Sequence, residues 1–418
     1  MSETIAPCPP DRAAVARAVP AAHAPINRRP LILHISGDYP DPIRNRTTRA
    51  VKNFIDLLDD CDHIIISLKR CANPAKAYLH RCPAASGQTL YALGYWALPG
   101  GVFHRDAMRR IEAQIAGILS ALRVRPTLVM AHKLAIEGVV AHRLWRRFGY
   151  PYVCSIRGEV EDKFFRMKPE LRGLYGAVAT RAEALFLVSA WFKKRLTERY
   201  RIDEARFHLL PNFCTSSAIP VAANCTRHAF VTVLDLNMYR RKGFHHLIRA
   251  LALARRALPD LRLDVIGWSG SKADAQIRRL LTHAGVSSAV RFLGVLDHRA
   301  VLEVIPRYAA LVLPARNETF GMVYVEALLT ATPVLYTADS GIDGYLEGID
   351  AGVRVRAGDI AAIAAGLLVL ARSGDGYRKR LSEQHAIIEA RFSPDVYLAE
   401  FRSVLARIGD RTNYPEGK

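Results

Sequence analysis

Apolar residues follow two rhythms along this chain. Short, nearly continuous apolar runs recur at Leu31–Ser36 (LILHIS), His63–Leu68 (HIIISL), Thr127–His132 (TLVMAH), Tyr152–Arg157 (YVCSIR), Ala184–Ser189 (ALFLVS) and Phe207–Asn212 (FHLLPN). Runs of this kind fit strands buried on both faces. Between them lie stretches with helical spacing, such as Thr47–Leu58 and Ala107–Leu122. Strand and helix in alternation predict a parallel sheet with helices on both faces. The segment Ser216–Thr226 (SSAIPVAANCT) is small, polar and proline-containing, as a linker is. Beyond it the rhythm restarts at Phe230–Leu236, Leu261–Gly267, Val290–Gly294, Ala310–Ala315 and Thr332–Thr337. The pattern therefore predicts two doubly wound α/β domains, 28–215 and 227–392, joined by 216–226 with the hinge between Pro211 and Thr226. Residues 393–418 open on Ser393-Pro394 and carry Tyr397, Phe401, Val404, Leu405 and Ile408 on one side, which predicts a last helix and a tail. The Ala- and Pro-rich residues 1–27 read as a mobile leader; early acidic residues and no apolar centre argue against a secretory signal.

A chain of 418 residues is long for one core, which agrees with two domains. The net charge of +20 bears on partners rather than fold. Zinc, RNP and helix-turn-helix signatures are absent, so nucleic acid is not an expected partner. Phosphate-bearing ligands and peripheral contact with an anionic membrane fit the charge better. No run approaches the roughly 18 apolar residues of a membrane span. The cysteines Cys8, Cys61, Cys71, Cys82, Cys154, Cys214 and Cys225 form no CxxC pair, which points to a reducing cytoplasm. No metal-ligand set is expected.

Candidate chemistry concentrates in Asn317–Thr337 (NETFGMVYVEALLTATPVLYT). A strand is followed by a loop carrying Glu318, then Gly321, then a helix carrying Glu326. Gly321 lets the main chain approach a ligand, and the free N–H groups from Phe320 through Met322 to Val323 suit an anion at the helix N-terminus. Two carboxylates beside that anion site suit hydroxyl groups, not a second phosphate. A nucleotide sugar has this form, one glutamate meeting its sugar and the other its ribose.

The Glu318/Glu326 spacing in its FGMVYVEAL setting resembles the paired-glutamate motif of the retaining group 1 (family 4) glycosyltransferases, from about Leu31 to Ile408. Leu185–Phe213 is similar to the segment that closes the family's first domain with Pro-Asn. Leu234–Leu251 (LDLNMYRRKGFHHLIRAL) is similar to its diphosphate-binding stretch, and Val290–Gly294 to its base-contacting strand and loop. The resemblance implies a GT-B fold, two Rossmann-like domains facing a cleft, with the C-terminal helix crossing back to the first. It implies metal-independent transfer from a nucleotide diphosphate sugar to a glycan or lipid-linked acceptor, as in surface polysaccharide or lipopolysaccharide assembly, at the inner face of the membrane. No cofactor is implied beyond the co-substrate. Gly37, Lys242, Arg241, Leu293, Gly294, Phe320, Gly321, Met322 and Glu326 are its candidate donor-binding residues, and Glu318 a candidate catalytic residue.

Two departures stand out. The family's Gly-Gly loop after the first strand reads SGDYPDPIRNRTTRAV, keeping Gly37 but adding Arg44, Arg46 and Arg49 around Asn45 and Thr47. Such a loop suggests an anionic acceptor. The family's His-Gly after the strand YVCSI is here Arg157-Gly158. Arg157, expected to face the cleft opposite Glu318, or His132 at the end of the neighbouring strand, then takes the histidine's place. The substitution keeps two rival readings open: a catalytically silent protein that binds a nucleotide sugar or a partner, and a GT-B sugar-nucleotide epimerase.

Overall fold

The computed structural model describes residues 29–43, 49–98, 101–214 and 226–413. The leader 1–27, the loop residues Arg44–Thr47 and all of the predicted linker except Thr226 lie outside them. The first sheet contains β1 (Leu31–Ser36), β2 (Asp62–Cys71), β3 (Tyr78–Cys82), β4 (Gln88–Trp96), β5 (Leu128–Ala131), β6 (Tyr152–Ile156), β7 (Leu185–Leu187) and β8 (Phe207–Leu209). Its spatial order is β3-β4-β2-β1-β5-β6-β7-β8. Every pairing is parallel except that of β3 with β4. The helices are α1 (Ala50–Asp56), α2 (His104–Leu122), α3 (Val139–Phe148), α4 (Glu159–Met167), α5 (Arg172–Arg181) and α6 (Lys193–Thr197).

The second sheet, all parallel, has the order β11-β10-β9-β12-β13-β14, from β9 (Thr226–Val233), β10 (Arg262–Ile266), β11 (Val290–Gly294), β12 (Tyr308–Val312), β13 (Val334–Thr337) and β14 (Gly352–Val355). Around it lie α7 (Phe244–Ala254), α8 (Ser271–Ala284), α9 (His298–Val304), α10 (Met322–Leu329), α11 (Ile360–Glu383) and α12 (His385–Arg391). By length and composition alone α11 could cross a membrane, but Ile363, Leu367 and Leu370 on one side of it are buried in the second domain's core, so it serves as a core helix.

The final helix, α13 (Pro394–Asn413), returns to the first domain. Its Tyr397 and Phe401 rings pack edge-on against Phe54 of α1, with centroids 5.1 and 5.0 Å away. Val404, Leu405 and Ile408 extend the same buried layer. Arg402 pairs with Asp60 at 2.9 Å on the rim. Among the described residues, Cys61, Cys71, Cys82 and Cys154 are free thiols.

Among the parallel strands of each sheet the order reverses at one point, between β1 and β5 in the first and between β9 and β12 in the second. Crevices at the carboxyl ends of such a reversal are where doubly wound sheets take ligands. The loop carrying Gly37 and the position of His132 lie at the first reversal, and Lys242 and Glu318 follow the strands of the second.

Candidate active site between the two sheets

The second-domain wall is built from two loops forced together. Gly243 has φ +72°, and a Cβ there would lie 1.9 Å from the carbonyl oxygen of Pro314. Only glycine lets the Arg241-Lys242 turn rest on the loop after β12. The Arg316 N–H then donates to the Arg241 carbonyl at 2.9 Å. This contact brings the Lys242 ammonium onto the Glu318 carboxylate as an ion pair whose side chains are only 18% and 13% exposed. Arg241 turns the other way and pairs with Glu159, the first residue of α4, across the cleft. Arg240 instead lies over its neighbour's ring, Tyr239, at 5.4 Å.

The Glu318 loop is fixed at several points. The Glu318 N–H donates to Ser340 Oγ at 2.8 Å, and the Gly341 N–H donates to the Glu318 carbonyl at 2.9 Å. Gly321 adopts φ +78° and starts α10. No side chain caps this helix and no carboxylate stands in its first turn, so its N-terminal N–H groups form a positive end beside Glu318. The Phe320 ring is buried and meets Tyr345 edge-on at 5.4 Å, so Phe320 can meet a ligand only through its main chain. Met322 is half-buried against the same core.

Glu326 is buried in α10 and accepts a hydrogen bond from His298 Nε2 at 3.0 Å. Burial raises its pKa, and the imidazole of His298 works against that rise. His298 opens α9, directly after the loop that follows Leu293 and Gly294 of β11. The Gly267 N–H donates to the Gly294 carbonyl at 2.8 Å. The Glu326 carboxyl and the β11 loop are thus linked through His298.

On the first-domain wall, the Gly37 N–H donates to Glu137 Oε1 at 2.8 Å. Burial raises the pKa of Glu137. Asp38 pairs with Lys133 at 2.7 Å. Burial alone would push the Asp38 carboxyl up, but the Lys133 and Arg157 cations outweigh it and hold the pKa down. Arg157 Nε donates to the His132 carbonyl at 3.2 Å. This bond ties the guanidinium to the strand end beside His132, with its charge felt by Asp38. His132 is 2% exposed, and burial, helped by Arg157, lowers its pKa to about 3.

The walls also meet through side chains that the sequence does not single out, Ser189 and Trp191 among them. The Ser189 hydroxyl lies 2.7 Å from the Arg157 carbonyl and 2.5 Å from the Thr319 carbonyl. Its single proton can serve one of them at a time. Trp191 Nε1 donates to the Glu318 carbonyl at 3.2 Å. Asn317 Nδ2 reaches Asp162 at 3.4 Å, and the Tyr345 hydroxyl donates to the Leu187 carbonyl. Ser189 and Trp191 fall inside the Leu185–Phe213 segment, but no local pattern distinguishes them as bridges. His298 and Glu159 carry no sequence signal at all. The structure brings Lys242, Glu318, Gly321 and Arg241 together; Glu326 and Gly294 flank them on the β11 side; Gly37, His132 and Arg157 form the facing wall.

This arrangement has relatives. Residues 233–386 match the family profile described as "Glycosyl transferases group 1", and residues 64–212 match "Glycosyl transferase 4-like domain". The chain belongs to the group 1 glycosyltransferases. This transferase is 25% identical over 358 residues to glycogen synthase from Mycobacterium tuberculosis, covering 80% of its own length and 84% of that protein. It is 30% identical over 168 residues to the lipopolysaccharide core biosynthesis glycosyltransferase LpsE of Rhizobium meliloti, 40% of its own length and 46% of that protein. Sucrose-phosphate synthase from Thermosynechococcus elongatus shares the fold, with a TM-score of 0.66 at 16% identity over 92% of this chain and 98% of that one. The two-domain GT-B architecture and transfer from a nucleotide sugar follow from these matches together.

Proposed function

We propose that this glycosyltransferase retains anomeric configuration, works without a metal ion, and moves a sugar from a nucleoside diphosphate to a glycan or lipid-linked acceptor. The observation that carries this reading is the Lys242–Glu318 pair set beside the uncapped N-terminus of α10. A bound diphosphate takes over Lys242 and Arg241 and the main chain from Phe320 to Val323. Lys242 then leaves Glu318, whose carboxylate is released to a donor-sugar hydroxyl, while Glu326 takes a ribose hydroxyl. Leu293 and Gly294 border the base. Gly37 and the first-domain wall receive the acceptor, with Arg157 or His132 in place of the family's histidine.

In the reaction the anomeric C–O bond to phosphate breaks and a new bond forms to the acceptor oxygen on the same face. The acceptor's proton passes to the departing diphosphate. Cations already fixed beside the leaving group stabilise the charge that grows on it, the role a metal fills elsewhere. The relation to a lipopolysaccharide core transferase and the +20 charge support a surface-glycan or lipid-linked acceptor and work at the inner face of the membrane.

The test combines a panel of nucleotide sugars with a glycogen-type acceptor and a lipopolysaccharide core acceptor, with and without chelator. We expect nucleoside diphosphate release that persists in chelator, depends on the core acceptor, and yields a product whose anomeric coupling matches the donor. Inversion, or loss of activity in chelator restored by a divalent ion, would overturn the corresponding part of the reading.

A further inference from the structure

The face of the first sheet beneath α1 and α13 is an apolar layer that includes Ile32, Phe54, Ile65 and Met130. Three buried imidazoles cross it. His63 Nε2 lies 2.9 Å from the Leu58 carbonyl, His63 Nδ1 lies 3.0 Å from His34 Nε2, and His34 Nδ1 lies 3.2 Å from His132 Nε2. The rings are strung out rather than convergent, and among the described residues no group of His, Cys, Asp or Glu could hold a metal. Imidazoles in such a layer are costly unless hydrogen-bonded, and here each one is satisfied by the next.

The chain has a direction. A carbonyl oxygen only accepts, so His63 must carry its proton on Nε2. His63 Nδ1 is then a lone pair, which requires the proton of His34 on Nε2. His34 Nδ1 is in turn a lone pair, which requires the proton of His132 on Nε2. The reverse assignment would set a ring lone pair against the Leu58 carbonyl at 2.9 Å. One main-chain oxygen thereby fixes three tautomers. The last lone pair, His132 Nδ1, has no hydrogen-bond partner among the described residues. His132 stands at the carboxyl end of β5 with Asp38, Lys133 and Arg157 around it. Of these, Lys133 already serves Asp38, and Arg157 Nε serves the His132 carbonyl.

We propose that His34 and His63 are positioning residues: they lock His132 in the Nε2–H tautomer, so that its Nδ1 is a permanent acceptor for a sugar hydroxyl at the reacting end of the first sheet. This rests on the reading that the first-domain wall receives the acceptor and that His132 stands there beside the reacting sugars. Such an acceptor orients a hydroxyl without taking its proton. It therefore complements a mechanism in which the leaving diphosphate is the base. Burial, with the charges of Lys133 and Arg157 facing it from β5 and β6, keeps His132 neutral against the opposing pull of Asp38. Burial does the same for His34, with His132 and His63 on either side of it. For His63, burial also prevails over the Leu58 carbonyl and Asp62, which favour its charged form. From α13, Tyr397 feels the Arg157 charge, which works against the rise that burial gives its pKa.

The test begins with nitrogen-detected NMR of the full-length protein labelled on histidine, His132 being assigned by the signals lost in His132→Gln. At neutral pH we expect a pyrrole-type Nε2 and a pyridine-type Nδ1 for His132, His34 and His63. The opposite tautomer, or an imidazolium, at His132 would overturn the proposal. This arm needs no substrate, so it separates failure of the relay from failure of the proposed transfer. In His63→Leu, which removes the acceptor for His34, His132 should become a tautomer mixture. Its kcat should fall at least about tenfold while donor KM stays unchanged, since a wrong tautomer disables a correctly placed ring. In His63→Gln an amide can still donate to Leu58 and accept from His34, so it should restore the tautomer and most of kcat. A His63→Leu protein with mixed tautomers and wild-type kcat would overturn the positioning role; if that variant does not fold, the wild-type spectrum and His63→Gln still decide.

Discussion

Replacing Lys242 by methionine keeps the side chain's apolar stem and deletes its charge. In the ligand-free protein Lys242 is already neutralised by Glu318 within a pair mostly shielded from water. Donor binding therefore exchanges one anion for another, and the ground-state gain is only the difference between them. The gain grows as charge accumulates on the departing diphosphate, so the loss falls on kcat more than on binding. Removing one preorganised charge donor of this type costs about 10²- to 10³-fold in kcat, roughly 2.7–4 kcal/mol. A second effect acts on KM, because the bare Glu318 carboxylate now faces the incoming phosphates. Glu318→Gln in the Lys242→Met background should then lower the donor KM relative to Lys242→Met alone. The coupling between the two sites should lie in the range of about 0.5–3 kcal/mol seen for residues in contact. The assay is initial-rate release of nucleoside diphosphate over a donor titration for wild type, both single variants and the double variant. A Lys242→Met enzyme within threefold of wild-type kcat, or strictly additive effects in the cycle, would refute the reasoning.

Four further outcomes follow from the same geometry. Glu326→Gln should raise the donor KM about tenfold, the scale of one hydrogen bond to a charged group, with a smaller change in kcat; isothermal titration with donor checks it. Glu159→Gln frees Arg241 from a partly exposed cross-cleft pair worth about 0.2–1 kcal/mol, so the donor should bind roughly 1.5- to fivefold more tightly, and weaker binding would contradict that role. Because His34, His63 and His132 have folded pKa values below their unfolded value of about 6.5, their contribution to stability is complete above that pH and is lost as pH falls below it, for His132 down to about 3, a trend thermal melts would show and one that His34→Phe should lessen. Binding to anionic vesicles should be strong at low salt and released by high salt, as sedimentation measures; retention in high salt would indicate an apolar anchor.

Much of the fold was legible because parallel strands buried on both faces leave continuous apolar runs. Val290–Gly294 occurs as read, and Leu31–Ser36 likewise. The strands that escaped notice were β3, β4 and β14. Tyr78–Cys82 is an exposed antiparallel edge strand with His80 and Arg81 in its middle, so it has no apolar run to display. Gly352–Val355 is another sheet edge, only four residues long and half-exposed. Edge strands take their form from the neighbour they pair with, and that information lies elsewhere in the chain.

The site divides along a similar line. Glu318, Gly321 and Lys242 were legible because their roles rest on local geometry: a loop, a helix start, a turn closed by glycine. The partners that give them meaning come from far away in sequence. Glu318 meets Lys242 across 76 positions, and Trp191 reaches the Glu318 carbonyl across 127. Arg157 shows the limit most clearly. Its place after β6 suggests a guanidinium at the cleft, but not that its Nε is held by the His132 carbonyl, one strand away and 25 residues back. The same contact decides how Arg157 and His132 can share the histidine's place. An arginine fixed in this way cannot act as a base at any working pH, and His132 is held neutral by burial and by that arginine. Neither residue is then a proton acceptor of the ordinary imidazole kind. The wall offers a fixed cation and a fixed lone pair side by side, and that division of labour requires both residues, not a choice between them.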